Sequence, residues 1–104
     1  MNRSYQLDCP VARAMDIIGE RWAPLILRDL FLHKSRRFQD FQEALSSIAP
    51  NTLSERLKSL EADGIIARRQ YEDHPPRFEY VLTDKGKTLG PIIKALREWG
   101  THHT

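Results

Sequence analysis

Only one cysteine, Cys9, stands in the 104 residues of the chain, so no disulfide can form within it and a stapled scaffold is excluded. No apolar run approaches the roughly 18 residues that a membrane span requires. With 29% charged residues, the chain reads as a globular protein in water with no membrane partner. The first ten residues, MNRSYQLDCP, hold no apolar segment of the kind a secretory leader carries, and a cytoplasmic location is the expectation. Signatures of catalysis are missing as well: there is no H-E-x-x-H, no Gly-rich phosphate loop and no G-x-S-x-G. The four histidines, His33, His74, His102 and His103, are scattered. Neither an enzyme nor a cofactor is expected. A metal site would have to join Cys9 to His102-His103, and two adjacent histidines there read more simply as a frayed tail. A large excess of one charge is also absent. The net charge is +2, and residues 34–87 carry ten Lys/Arg against nine Asp/Glu. Any argument for a nucleic-acid partner must come from where the cations fall.

What is present is enough for one core. A chain of this length with 40% hydrophobic residues fits a single domain over 1–104. Pro10 suits a first helical position, and Val11, Ala14, Met15 and Ile18 follow at the i, i+3, i+4, i+7 spacing of one helix face. Gly19 ends that helix. A denser run from Trp22 to Leu32 predicts a helix buried on most sides. After the basic joint HKSRR, Phe38, Phe41 and Leu45 define a short amphipathic helix, closed by the turn Ser46-Ser47-Ile48-Ala49-Pro50. The next helix starts near Asn51, with Leu53, Leu57 and Leu60 on its inner face and Gly64 closing its C-terminus in the left-handed conformation. A Thr52-x-x-Glu55 capping box leaves its first residue open.

From Ile65 the period changes. IIARRQY and RFEYVLT are rich in β-branched and aromatic residues and flank Glu72-Asp73-His74-Pro75-Pro76, the pattern of a hairpin with a proline-containing tip. Thr83 then caps a last helix with Leu89, Ile92, Ile93, Leu96 and Trp99 as its stripe, kinked at Pro91.

A short helix, a tight turn, a second helix with a polar outer face and a two-stranded hairpin are the order of a winged helix-turn-helix. The fold class expected is α+β, mostly helical, with additional helices at both ends. An α-helix fits the major groove when its apolar side is held by the protein and its other side offers hydrogen-bonding groups. On a 100° wheel Asn51, Glu55, Lys58 and Ser59 point away from the leucine face, with Thr52 and Arg56 on its flanks. Any surface helix is polar outside, so the neighbouring elements decide. Arg36 and Arg37 precede the first helix of the motif, Arg68 and Arg69 lie on the first strand, and Arg77 follows the hairpin tip. These are candidate phosphate contacts on several elements around one groove, and double-stranded DNA is the expected partner.

The chain resembles the HxlR family of bacterial winged-helix regulators over nearly its whole length. The residues that carry the resemblance are Cys9-Pro10, Gly19-Glu20-Arg21-Trp22, the segment Leu25 to Leu30, Arg37-Phe38, Leu53-Ser54-Glu55-Arg56-Leu57, Leu60-Glu61, Gly64-Ile65, Pro75-Pro76, Tyr80, Leu82-Thr83, Gly86 and Trp99-Gly100. It implies a transcription regulator acting as a homodimer, with the terminal helices at the interface and two recognition helices on a pseudo-palindromic operator. The stripes Val11, Met15, Ile18 and Leu89, Ile92, Ile93, Leu96, Trp99 both need cover. Cover can come from a second copy or from the chain's own core, and Trp99 suits either.

Some members of the similar family sense oxidants, quinones or aldehydes at the cysteine of this Cys-Pro pair. Here Cys9 sits at a helix start, four residues before Arg13, where positive potential favours thiolate. It is a candidate sensor for a small reactive effector, against the simpler reading of an inert thiol. The alternative for the chain is a winged helix that binds proteins and reads no DNA sequence.

Overall fold

The computed structural model describes residues 8–104; the leader reading of the N-terminus therefore rests mostly on residues outside the described ones. Four helices build the scaffold before any strand of length appears. Helix α1 spans Pro10–Ile18, α2 Ala23–His33, α3 Phe38–Ala44 and α4 Pro50–Ala62. Helix α2 starts where Glu20 Oε1 accepts from the backbone N–H groups of Trp22 (2.7 Å) and Ala23 (2.9 Å), which satisfies donors that a helix start leaves unpaired. Between α3 and α4 the turn is pinned by Ile48, which is buried in the core.

Helix α4 begins one residue before the sequence reading has it, at Pro50, with Ala49 as its cap residue and no side-chain cap bond. The Thr52/Glu55 capping box is not the start. Proline needs no N–H partner in a first turn, and its fixed φ suits that place. At the other end Gly64 adopts φ +75°. The N–H of Ile65 bonds to the carbonyl of Leu60 (2.9 Å) and that of Gly64 to the carbonyl of Glu61 (3.0 Å), the paired closing bonds of a left-handed C-terminus.

Strand β2, Ile66–Asp73, and strand β3, Pro76–Leu82, form the expected hairpin, paired from Ile66 opposite Leu82 to Asp73 opposite Pro76 with an irregularity between Gln70 and Glu72. One element was not foreseen. Ser35–Arg36 forms a short strand, β1, which pairs antiparallel with β3, Arg36 opposite Tyr80. The sheet order is β1-β3-β2. Part of the basic joint is thus the edge strand that ties α2 to the wing.

The C-terminal region departs from one kinked helix. A single turn, α5 (Asp84–Lys87), is capped by Thr83, whose Oγ accepts from Gly86 N. Gly86 is required there: a Cβ would stand 2.0 Å from the carbonyl oxygen of Ile65. Helix α6 then spans Gly90–His103 with Pro91 in its first turn. No interior N–H is lost at that place, so Pro91 starts the helix and does not kink it. The expected frayed tail is likewise helix: His102 and His103 lie in the last turn of α6, with the His103 ring 5.0 Å from that of Trp99.

The core gathers one side of nearly every element. Ile26, Leu27 and Leu30 of α2, Phe41 of α3, Leu53, Leu57 and Leu60 of α4, and Ile66 of β2 are fully buried. The winged helix-turn-helix and the mixed, largely helical class are as the sequence indicates. Among the described residues no helix is long and apolar enough to cross a membrane.

Candidate nucleic-acid interface

Helix α4 is held by its three leucines and presents the rest of its circumference outward. Asn51, Glu55 and Lys58 are exposed, while Thr52, Ser54 and Ser59 are half-buried. Lys58 has no ion-pair partner among the described residues. Arg56 departs from the expectation of a groove-flanking cation. Its side chain is only 12% exposed, leans toward Glu55 at 3.7 Å, and its buried Nε finds no partner. It is therefore folded against the protein and not extended as a free cation beside the groove.

The arginines around the helix divide by what holds them. Arg36 turns inward: its Nε donates to Oδ2 of Asp29 at 2.7 Å, and Asp29 is buried within α2. A buried carboxylate needs such a partner, so Arg36 serves as the tie between α2 and β1 and is not free for a phosphate. The sequence holds a signal for this, an acid at Asp29 between Leu27 and Leu30 in an otherwise apolar helix face. Arg37 stays exposed at the start of α3. Its guanidinium is held charged above its usual range by a hydrogen bond to Tyr71 and then by the charge of Asp40.

On the wing, every arginine has a carboxylate beside it. Arg68 lies 3.4 Å from Glu61 and over the Phe78 ring. Arg69 donates twice to Glu79, at 2.9 and 2.6 Å. Arg77 is 3.5 Å from Glu72. All three side chains are more than half exposed, and exposed pairs contribute only about 0–1 kcal/mol. Exchange of a carboxylate for a phosphate is therefore cheap at these positions. Inside the sheet, Tyr80 packs edge-on against Phe41 at 6.1 Å, and burial pushes its phenol pKa up.

Two features fix how the hairpin meets the helices. Thr83 Oγ donates to the carbonyl of Gly64 at 2.6 Å, which joins the end of β3 to the end of α4. At the start of α3, Asp40 Oδ2 accepts from the N–H of Arg37 at 2.9 Å. That bond, and then the Arg37 charge, holds the Asp40 carboxyl below its usual range.

The terminal stripes split. Val11 (70%), Ile92 (42%), Leu96 (53%) and Trp99 (63%) stand open, and Met15 (37%) partly so. Ile18, expected on the same face, is in the core at 4% exposure, in the cluster that holds Ile26 and Leu27 of α2. Leu89 and Ile93 pack against that core as well. Cys9 is half-buried, and its Sγ accepts from the Ala12 N–H at 3.3 Å. The thiol thus caps α1, a role for sulfur that composition and spacing do not announce.

Comparison with known proteins gives this geometry a place. The HxlR-like helix-turn-helix family matches over residues 17–104. The HTH-type transcriptional regulator YvaP of Bacillus subtilis (strain 168) is 43% identical over 102 residues, covering 97% of this chain and 92% of its own. Among solved structures, the redox regulator HypR in its oxidized form superposes with a TM-score of 0.86 at 38% identity, over 92% of this chain and 98% of that one. The reduced form of the transcriptional regulator YodB from B. subtilis gives 0.77 at 31% identity, over 93% and 95%. The chain belongs to the HxlR-like helix-turn-helix family.

Proposed function

We propose that this member of the HxlR-like family is a transcription regulator that binds a pseudo-palindromic operator as a homodimer, with α4 in the major groove and the β2–β3 wing on the flanking phosphates. The observation that carries the reading is the two-sidedness of α4. Three leucines are locked in the core, and Asn51, Glu55 and Lys58 face outward beside a wing bearing Arg68, Arg69 and Arg77. In this reading Asn51, Thr52, Glu55, Lys58 and Ser59 address base edges, and Arg37 joins the wing arginines on the backbone. The open stripes on α1 and α6 support a two-fold contact between copies.

Cys9 deepens the same reading. It caps the helix that bears Val11 and Met15, so chemistry at the thiol acts where a second copy would sit. HypR and YodB, both similar to this chain, were solved in oxidized and in reduced forms respectively. With one cysteine per chain, two Cys9 thiols can join across the dimer, giving two protons and two electrons to an oxidant such as diamide, which becomes its hydrazine.

Fluorescence anisotropy on duplexes selected from a random pool tests both parts. Log affinity should fall steeply and linearly with log salt, and Arg77→Ala should lower the slope by about 1. Diamide should shift the affinity of the wild type and leave Cys9→Ser unmoved. A chain that holds no duplex at low salt is a protein-binding winged helix, and equal diamide response in Cys9→Ser removes the sensor role.

A further inference from the structure

Helix α6 lies against α2, and the two leave a cleft of about 570 Å³ between them. That is within the roughly 300–1,000 Å³ typical of small-molecule sites. Its walls are mostly apolar, with Leu25, Phe31 and Ile93 half-buried. Its polar groups are all cationic: Arg28 from α2, and Lys94 and Arg97 from α6. No carboxylate lines it among the described residues. None of these three cations has an ion-pair partner among the described residues, whereas Arg36, Arg37, Arg68, Arg69 and Arg77 each have one.

Three unpaired cations around an apolar slot define the complement they lack. A neutral apolar ligand would leave the cations unused, and a bare inorganic anion would leave the slot unfilled. We propose that the α2–α6 cleft binds a small organic anion, an apolar body lying on Leu25, Phe31 and Ile93 and a carboxylate held by the rim cations. Arginine is suited to that end because its fork pairs two donors with a carboxylate. The site adjoins the helix whose Asp29 holds Arg36 on β1, so its occupant sits one helix away from the wing.

The test needs no DNA and so stands apart from the DNA-binding reading. Amide ¹H–¹⁵N spectra of the full chain are recorded with 1-naphthoate, with neutral 1-naphthylmethanol and with inorganic phosphate. Naphthoate should bind with saturable shifts on α2 and α6, at least tenfold more tightly than the alcohol, and phosphate should produce no such shifts. Arg28→Gln with Arg97→Gln, both at exposed positions, should lose at least tenfold in naphthoate affinity while keeping the wild-type spectrum elsewhere. Equal affinity for acid and alcohol, equal effect of phosphate, or an unchanged affinity in the double variant would overturn the proposal. So would no binding at 10 mM, and loss of self-association in Leu32→Glu, a change at an exposed residue of the cleft, would then assign the cleft to a second copy of the chain.

Discussion

Helices α4 and α6 carry the same kind of apolar stripe and meet opposite fates. Leu53, Leu57 and Leu60 of α4 are at most 1% exposed, whereas α6 has no buried residue at all. The contrast extends to charge. Around α4 and the wing, Arg36, Arg37, Arg68, Arg69 and Arg77 each rest on a carboxylate; on the cleft beside α6, Arg28, Lys94 and Arg97 have none among the described residues. One half of the molecule buries its apolar stripe and pairs these arginines internally. The other half offers both its apolar and its cationic groups to something outside the chain. Amphipathic periodicity reports that a face needs cover, and it is silent on whose residues supply it.

The largest expected effect breaks the comparison at its core. Leu57→Ala should lower the unfolding free energy by about 2–5 kcal/mol, since it opens a cavity under a fully packed helix. Leu96→Ala, the same change on the open stripe, should shift it by less than about 1 kcal/mol in dilute solution. Urea unfolding at low protein concentration measures both. Similar losses at the two positions would mean that α6 is covered within the protomer after all.

A smaller effect sharpens the open side. If Val11, Met15, Ile92, Leu96 and Trp99 meet their counterparts across a two-fold axis, Trp99→Glu places a charge in an aromatic anchor position. The dimer dissociation constant should rise about 30-fold or more, equivalent to about 2 kcal/mol. Sedimentation velocity over a concentration series reads it, and circular dichroism checks that the protomer stays folded. A wild type that sediments as a monomer throughout, or a variant that associates as well as the wild type, would remove the dimer from the reading.

How far the sequence carried these distinctions follows from which signals are local. The helix stripes, Gly64, the Thr83 cap and the hairpin are written in adjacent residues, and the structure has them in place. The resemblance carried the order of elements as well. What was not legible depends on contacts distant in sequence. Strand β1 is two residues long and exists because β3 pairs with it. The inward turn of Arg36 depends on Asp29, seven residues earlier on another element; the acid in an apolar face hints at a buried partner and does not say which cation supplies it. Ile18 looks like its neighbours Val11 and Met15 on a wheel, yet of these three only Ile18 joins the core. Pro91 departs from the expected kink for a local reason: the break between α5 and α6 at Thr88-Leu89 moves it from the middle of one helix to the first turn of another. The α2–α6 cleft joins residues some seventy apart, and no period in either helix reveals it.

The smallest effect probes whether charges on the satisfied side contribute as charges. Asp40 accepts from the Arg37 N–H at the start of α3, where the helix dipole also favours an anion. Its carboxyl is held below the ordinary value of 3.8 by that hydrogen bond and then by Arg37. A group whose folded pKa is depressed stabilises the fold fully above its unfolded pKa and loses that stabilisation as pH falls through the folded value. Asp40→Asn keeps an acceptor oxygen and removes the charge. At pH 7 the variant should therefore be less stable by about 0.5 kcal/mol, and the gap to the wild type should close as the pH drops below the ordinary carboxyl value. Thermal unfolding from pH 7 to pH 2 follows it. A gap of constant size would mean that the oxygen geometry and not the charge is what Arg37 and Asp40 share. Arg97→Gln, the matched change on the open side, should show no such pH-dependent gap across the same range, because no carboxylate pairs with Arg97 among the described residues.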